Sequence, residues 1–268
     1  MSRFNNGQRI ALAAAAAITA SFASAAGAVS LTTDTYFQDF DSLATTGTAN
    51  TALPAGWSLL ETGGGNRDNN AYAASTGSDN AGDVYSFGAT GSSDRAFGTL
   101  QSGSLIPTIG VFFTNELGAA IESLAIDYTG EQWRLGTTGR ADRLDFQYSL
   151  NATTLSDGDW IDFDALDFSS PITTGATGAR FASASVSGLI GGLDIAAGQS
   201  FAFRWLDVNA SGADDESRSA FDHAVPDPAR LLVAAASGTQ QFSAQLRLKF
   251  LHQRAVEHAV RAAGGSYA

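Results

Sequence analysis

Between Val29 and Glu216 the chain contains neither histidine nor cysteine. A serine or cysteine nucleophile needs an imidazole to take its proton, and protein zinc sites are built largely on imidazole or thiolate. Triad hydrolysis and histidine-zinc chemistry are therefore closed to that stretch. All three histidines, His223, His252 and His258, lie beyond it. Gly63-Gly64-Gly65 runs on into Asn-Arg-Asp-Asn-Asn, which is loop composition, and no phosphate-cradling glycine motif stands between a strand and a helix. Carboxylates remain. Glycoside hydrolysis needs two of them facing each other across a cleft. Glu61, Glu122 and Glu131 have aromatic neighbours and are the candidates, but no spacing marks two of them as a pair. The expectation is a non-catalytic protein.

Hard oxygen ligands suggest a different chemistry. Calcium takes carboxylates, amide oxygens and backbone carbonyls from loops. Asp39 and Asp41 flank Phe40 near the expected first strand, and Asn209, Asp214 and Asp215 follow the strand that ends at Val208. In a jelly roll the first and last strands often pair, which would unite the two clusters as one calcium site. Asp79, Asn80 and Asp83 form a second possible patch. The alternative for each residue is a solvated loop acid. Two tryptophans are candidates for stacking on sugar rings: Trp133, within Glu131-Gln132-Trp133-Arg134, and Trp160. Each has a core position as its alternative, and Arg134 could either contact a ligand or pair with an acid inside the domain.

Short runs alternating apolar and polar residues, punctuated by Gly, Asn, Asp and Ser, must position these groups. Strands are expected at 36–40, 56–60, 84–87, 96–100, 108–115, 121–128, 131–136, 142–150, 160–163, 182–189 and 200–208, with Thr62 to Ala81 as one long surface loop. This pattern, without a convincing amphipathic helix, predicts an all-β, jelly-roll-like sandwich of two sheets over residues 29–216.

The chain has 268 residues and a formal net charge of -12. Within 29–216 there are 24 acids against 7 arginines, a balance that repels phosphate backbones and disfavours nucleic acid as a partner. Polysaccharide or envelope components are the expected partners. Arg3 and Arg9, an apolar stretch from Ile10 to Phe22, and the small-residue triplets Ala23-Ser24-Ala25 and Ala26-Gly27-Ala28 read as a signal peptide. Cleavage is expected after Ala25 or Ala28, with export to the cell surface or the medium. Beyond residue 216 the composition changes: Arg218, Arg230, Arg247, Lys249, Arg254 and Arg261 concentrate there. That shift predicts a basic tail, helical or poorly ordered, outside the sandwich.

The runs GDVYSFGATGSSDRAFGTLQSGS (82–104), PTIGVFFTNELGAAIESLAIDYTGEQWRLG (107–136) and RADRLDFQYSL (140–150) resemble a bacterial secreted β-sandwich module. FQDFDSLATTGTANTALPAGWS (37–58) and FRWLDVNASGADD (203–215) fit the same pattern. Modules of this type occur in envelope proteins carrying a PEP-CTERM sorting signal and at the N-terminus of extracellular nucleases. The resemblance implies an accessory or surface role, or the front part of a nuclease whose catalytic domain lies elsewhere. It also implies a closing strand of the type Gly-hydrophobic-Ala-hydrophobic-Asp-Asp-Phe, where this chain has Glu216 to His223. Val225-Pro226-Asp227-Pro228 resembles the Val-Pro-Glu-Pro sorting motif.

Overall fold

The computed structural model describes residues 27–208, 220–221 and 232–236. Its strands are β1 (Val29–Leu31), β2 (Thr35–Tyr36), β3 (Trp57–Thr62), β4 (Tyr72–Ser75), β5 (Asp83–Phe87), β6 (Ala96–Leu100), β7 (Ile106–Asn115) and β8 (Ile121–Leu135). They continue as β9 (Arg143–Ser149), β10 (Ile161–Asp162), β11 (Phe168–Ser169), β12 (Gly178–Ile195), β13 (Ser200–Val208), β14 (Ala220–Phe221) and β15 (Leu232–Ala236). One 3-10 turn, Asp164–Leu166, interrupts them, and there is no α-helix among the described residues.

The strands form two sheets, as the alternation of residue types predicts. In the first, β7 is flanked on one side by β1 and β3 and on the other by β13, followed by β9 with β10 and β11 at its edge. In the second, β12 lies along one side of β8, and β14 and β15 lie along the other. β14 leads on to β6, β5 and β4, and β15 to β2. Odd-numbered residues of β7 and β13, such as Val111, Phe113, Phe203 and Trp205, face even-numbered residues of β8, such as Leu124, Ile126 and Tyr128, in one core. Trp57 stacks on Trp205 at 5.9 Å between ring centroids, and the edge of Phe40 meets Trp57 at 4.6 Å.

Several sequence expectations change here. Residues 121–136 are one continuous strand. Gly130, which reads as a turn signal, lies inside β8 because the Phe168 ring presses on it: a Cβ there would stand 2.0 Å from Phe168 Cδ2. The expected strand at 36–40 stops after Tyr36. Phe40 takes a left-handed backbone (φ 64°) so that its ring can enter the core. The stretch expected to be one long loop holds β4, which pairs in parallel with β5. β12 is much longer than its expected core of 182–189. The expected first and last strands do not pair: β2 lies in the second sheet beside β15, and β13 lies in the first between β7 and β9.

Two strands also come from beyond residue 216. β14 and β15 come from the segment expected to stand outside the sandwich, and both join the second sheet. Ala220 lies opposite Glu131 of β8 and Gly98 of β6, bridging two strands that would otherwise lack a hydrogen-bonded neighbour between them. The apolar run at 232–236 supplies the chain that pairs with Ser123 to Asp127.

Candidate functional site

Each sheet has a small apolar cluster on its outer face, and each cluster has one of the two candidate tryptophans at its rim. On the second sheet, Tyr85, Phe87, Ala96 and Leu100 pack with Trp133. The Trp133 ring stacks on Phe87 at 6.1 Å and meets the edge of the exposed Phe181 at 5.1 Å. Its indole N–H donates to Glu131 Oε2 at 2.8 Å. Trp133 is thus wedged between two rings. Arg134 beside it reaches the Ser78 carbonyl at 3.5 Å.

On the first sheet, the loop from Leu150 to Trp160 folds over the outer face. Leu155 and Ala152 cover Phe112 and Ala202. Gly110 makes room for this, since a Cβ there would stand 2.5 Å from Leu155 Cδ2. At the rim, Trp160 is half-buried, with its indole N–H donating to the Asp157 carbonyl at 2.6 Å. The Arg204 guanidinium lies 4.2 Å from the centroid of the Trp160 ring. Arg204 is fixed by Gln147 Oε1, which accepts from its Nε at 2.9 Å and Nη2 at 2.7 Å, and by the Leu155 carbonyl at 2.7 Å. Burial draws this guanidinium below its ordinary pKa, and the charge of Asp145 opposes the shift.

The outward side chains of β9 extend this patch. Asp145, Asp162 and Asp167 each offer a carboxylate oxygen, all within 4.8 Å of one another. Arg143 bridges two of them, at 2.6 Å to Asp145 and 2.9 Å to Asp167. Gln147 donates to the second oxygen of Asp145, and the Phe146 N–H donates to Asp167. Burial raises the Asp167 carboxyl above its usual range, against the pull of the Phe146 N–H and Arg143. This trio is the only such carboxylate group among the described residues, and spacing could not have found it, since Asp145 and Asp167 are far apart in sequence. A calcium ion there would have to displace a guanidinium that already neutralises two of the three ligands.

The other expected ligands are placed differently. Asp39 Oδ1 accepts the Asp41 N–H, and Asp41 Oδ1 accepts the Arg95 N–H just before β6. Asp207 accepts the Thr99 hydroxyl and the Gln101 N–H at the other end of β6, about 20 Å along an extended chain. Asn209, Asp214 and Asp215 lie outside the described residues. Asp79 accepts from the Ser75 hydroxyl, whereas Asp83 turns inward to Arg67, so that patch does not converge.

The three candidate acids do not face one another. Glu122 and Glu131 share β8, nine positions apart. Along an extended strand that separation is about 30 Å. Glu61 is buried at the end of the core. Its Oε2 accepts the Asn69 and Asn70 N–H groups and its Oε1 the Val84 N–H. Its neighbour is Asp83, fully buried, whose carboxyl is raised to about 8 by burial first and by Glu61 next, with Arg67 opposing.

No protein-family model and no curated protein matches the chain. Among solved structures, it is similar to a carbohydrate-binding module specific for non-crystalline cellulose (12% identity, 68% of this chain and 87% of that one, TM-score 0.32). It is also similar to the K2 cleaved adhesin domain of Lys-gingipain (14% identity, 76% and 98%, TM-score 0.36) and to a Stig cyclase from Fischerella sp. TAU (16% identity, 73% and 92%, TM-score 0.35). The architecture of the chain itself, two antiparallel-rich sheets around one core, is a jelly-roll-like β-sandwich.

Proposed function

We propose that the outer face of the first sheet binds a neutral polysaccharide without transforming it, as part of an exported protein. The observation that supports this most directly is the partly exposed Trp160 ring beside Arg204, which Gln147 holds in place, with Gln147 in turn donating to Asp145. A sugar ring has an apolar C–H face and a rim of hydroxyls. An indole matches the first, and fixed donors and acceptors match the second. Arg204, Gln147 and Asp145 stand on β13 and β9, whose positions are set by the core beneath them, and Trp160 ends the loop packed over those strands, so little order has to be acquired on binding. The carboxylates outnumber the two arginines here, which favours an uncharged glycan over an anionic one. Export rests on the residue pattern of positions 3–28.

Retention on insoluble neutral polysaccharides, followed by affinity electrophoresis in soluble xylan, β-glucan and galactomannan, tests this reading. Trp160→Ala should weaken binding at least about 10-fold, or about 1.4 kcal/mol, with the fold intact by circular dichroism. Trp133→Ala, on the opposite face, should leave binding unchanged. Loss of binding in Trp133→Ala alone would move the site to the second sheet. No retention of the wild-type chain on any glycan would end the proposal.

A further inference from the structure

β12 is an edge strand of unusual character. Among the described residues it pairs with β8 alone. Ala182 to Gly191 runs opposite Gln132 to Ser123 without a break, and the irregularities fall only at its ends. Edge strands in natural proteins are normally blunted by charges, prolines, bulges or short length. From Phe181 to Leu193 this strand has no charged residue and no proline. Its outward row, Phe181, Ser183, Ser185, Ser187 and Leu189, is exposed throughout. Phe181 and Leu189, at 46% and 61% exposure, are two of the five large apolar side chains so exposed among the described residues.

The ends of the neutral run carry opposite charges, Arg180 and Asp194, both exposed. Antiparallel pairing of a strand with its own copy is isologous: every contact occurs twice about a two-fold axis. With the axis near Val186, the end of the neutral run that carries Arg180 in one copy lies alongside the end that carries Asp194 in the other, and Phe181 lies towards Leu189. Ser185 then faces Ser187. The small side chains between these contacts let the backbones approach to ladder distance. A parallel arrangement in the same register would instead set Arg180 beside Arg180 and Asp194 beside Asp194. A strand from an unrelated protein would have no reason to match both the charges and the apolar positions.

We propose that β12 is a self-association edge through which two copies of this chain join antiparallel, extending the second sheet across a two-fold axis. The inference does not depend on the ligand proposed above. A dimer would nevertheless present two copies of the first-sheet face to one polymer, and avidity would then raise retention.

The test uses sedimentation equilibrium of the purified full chain and of two double variants, Ser185→Lys with Ser187→Lys and Ser185→Glu with Ser187→Glu. These side chains are exposed, so each variant should keep the wild-type circular dichroism and melting temperature. The wild-type chain should sediment at twice the chain mass, and each variant alone at the chain mass, because like charges face each other across the axis. An equimolar mixture of the two variants should return to twice the chain mass, a rescue that only pairing of β12 with β12 produces. A wild-type monomer at high micromolar concentration would overturn the proposal. So would lysine variants that remain dimeric, a mixture that stays monomeric, or open-ended aggregates in place of a closed dimer.

Discussion

The molecule holds two carboxylate clusters and neutralises them by different means. Glu61 and Asp83 meet where β3 of the first sheet approaches β5 of the second, and both are buried. Their charge is met by the Arg67 guanidinium and by a proton on Asp83, whose carboxyl is raised to about 8. Asp145, Asp162 and Asp167 lie at the rim of one sheet, where Arg143, 44% exposed, bridges two of them. The buried cluster is a clamp: Glu61 binds the N–H groups of Asn69, Asn70 and Val84, tying the Asn-rich loop and the second sheet to β3. In the rim cluster Asp162 and the Arg143 side chain are exposed, whereas Asp145 is buried and Asp167 partly buried. Where water is excluded, a second negative charge costs more than holding a proton. At the rim, an arginine and solvent suffice.

Four changes probe this contrast. The largest effect is expected from Glu61→Ala, which leaves three N–H groups without their acceptor. The Val84 N–H is buried and the other two are part-buried, so at roughly 1–3 kcal/mol for a buried donor left unpaired the loss should reach about 2 kcal/mol or more, read by urea unfolding. A loss below about 1 kcal/mol would show that the clamp is ornamental to the fold. Arg143→Met comes next. It leaves the rim carboxylates uncompensated, and about 1–2 kcal/mol should be lost near neutral pH, given the partial exposure of the arginine. Millimolar calcium should restore more stability to this variant than it adds to the wild-type chain. Equal calcium responses would mean that the trio cannot act as ligands even when freed.

Asp83→Asn isolates the proton. The folded chain holds a proton on Asp83 that the unfolded chain releases, between the ordinary 3.8 and about 8. The stability contributed by this site is complete below the lower value, falls as pH rises, and is gone above the higher one. The amide keeps an acceptor for Arg67 and offers a donor towards Glu61. Melting temperatures between pH 5 and pH 9 should therefore fall less for Asp83→Asn than for the wild-type chain, and identical slopes would refute the shared proton. The smallest effect concerns salt. Raising ionic strength to about 1 M should weaken the Arg143 bridges by less than about 1 kcal/mol while leaving the buried Arg67–Asp83 pair nearly unchanged. Arg143→Met should lose that salt dependence.

Particular residues show how far the chain could be read directly. The strands at 96–100 and 200–208 were legible to the residue, because their alternation is bounded by clear turn signals. The break expected at Gly130 was not real, since the glycine answers to Phe168, which is distant in sequence. The membership of Ala220–Phe221 and Leu232–Ala236 in the second sheet was hidden by the basic composition around them. Trp160 was legible as a candidate, but the groups around it were not. Arg204 lies over its ring and is held there by Gln147, because β13 and β9 pair in register with Arg204 opposite Gln147.

Local chemistry alone determined the all-β class, the absence of imidazole and thiol side chains from residues 29–216, and the excess of acids over arginines there. Each follows from residue types and their near-neighbour spacing, which folding does not alter. Tertiary structure alone decided which acids became neighbours, which side chains pack against each tryptophan, and which strand was left as an edge among the described residues. Those outcomes depend on strand order and register, and a shift of one residue would have turned every side chain to the other face.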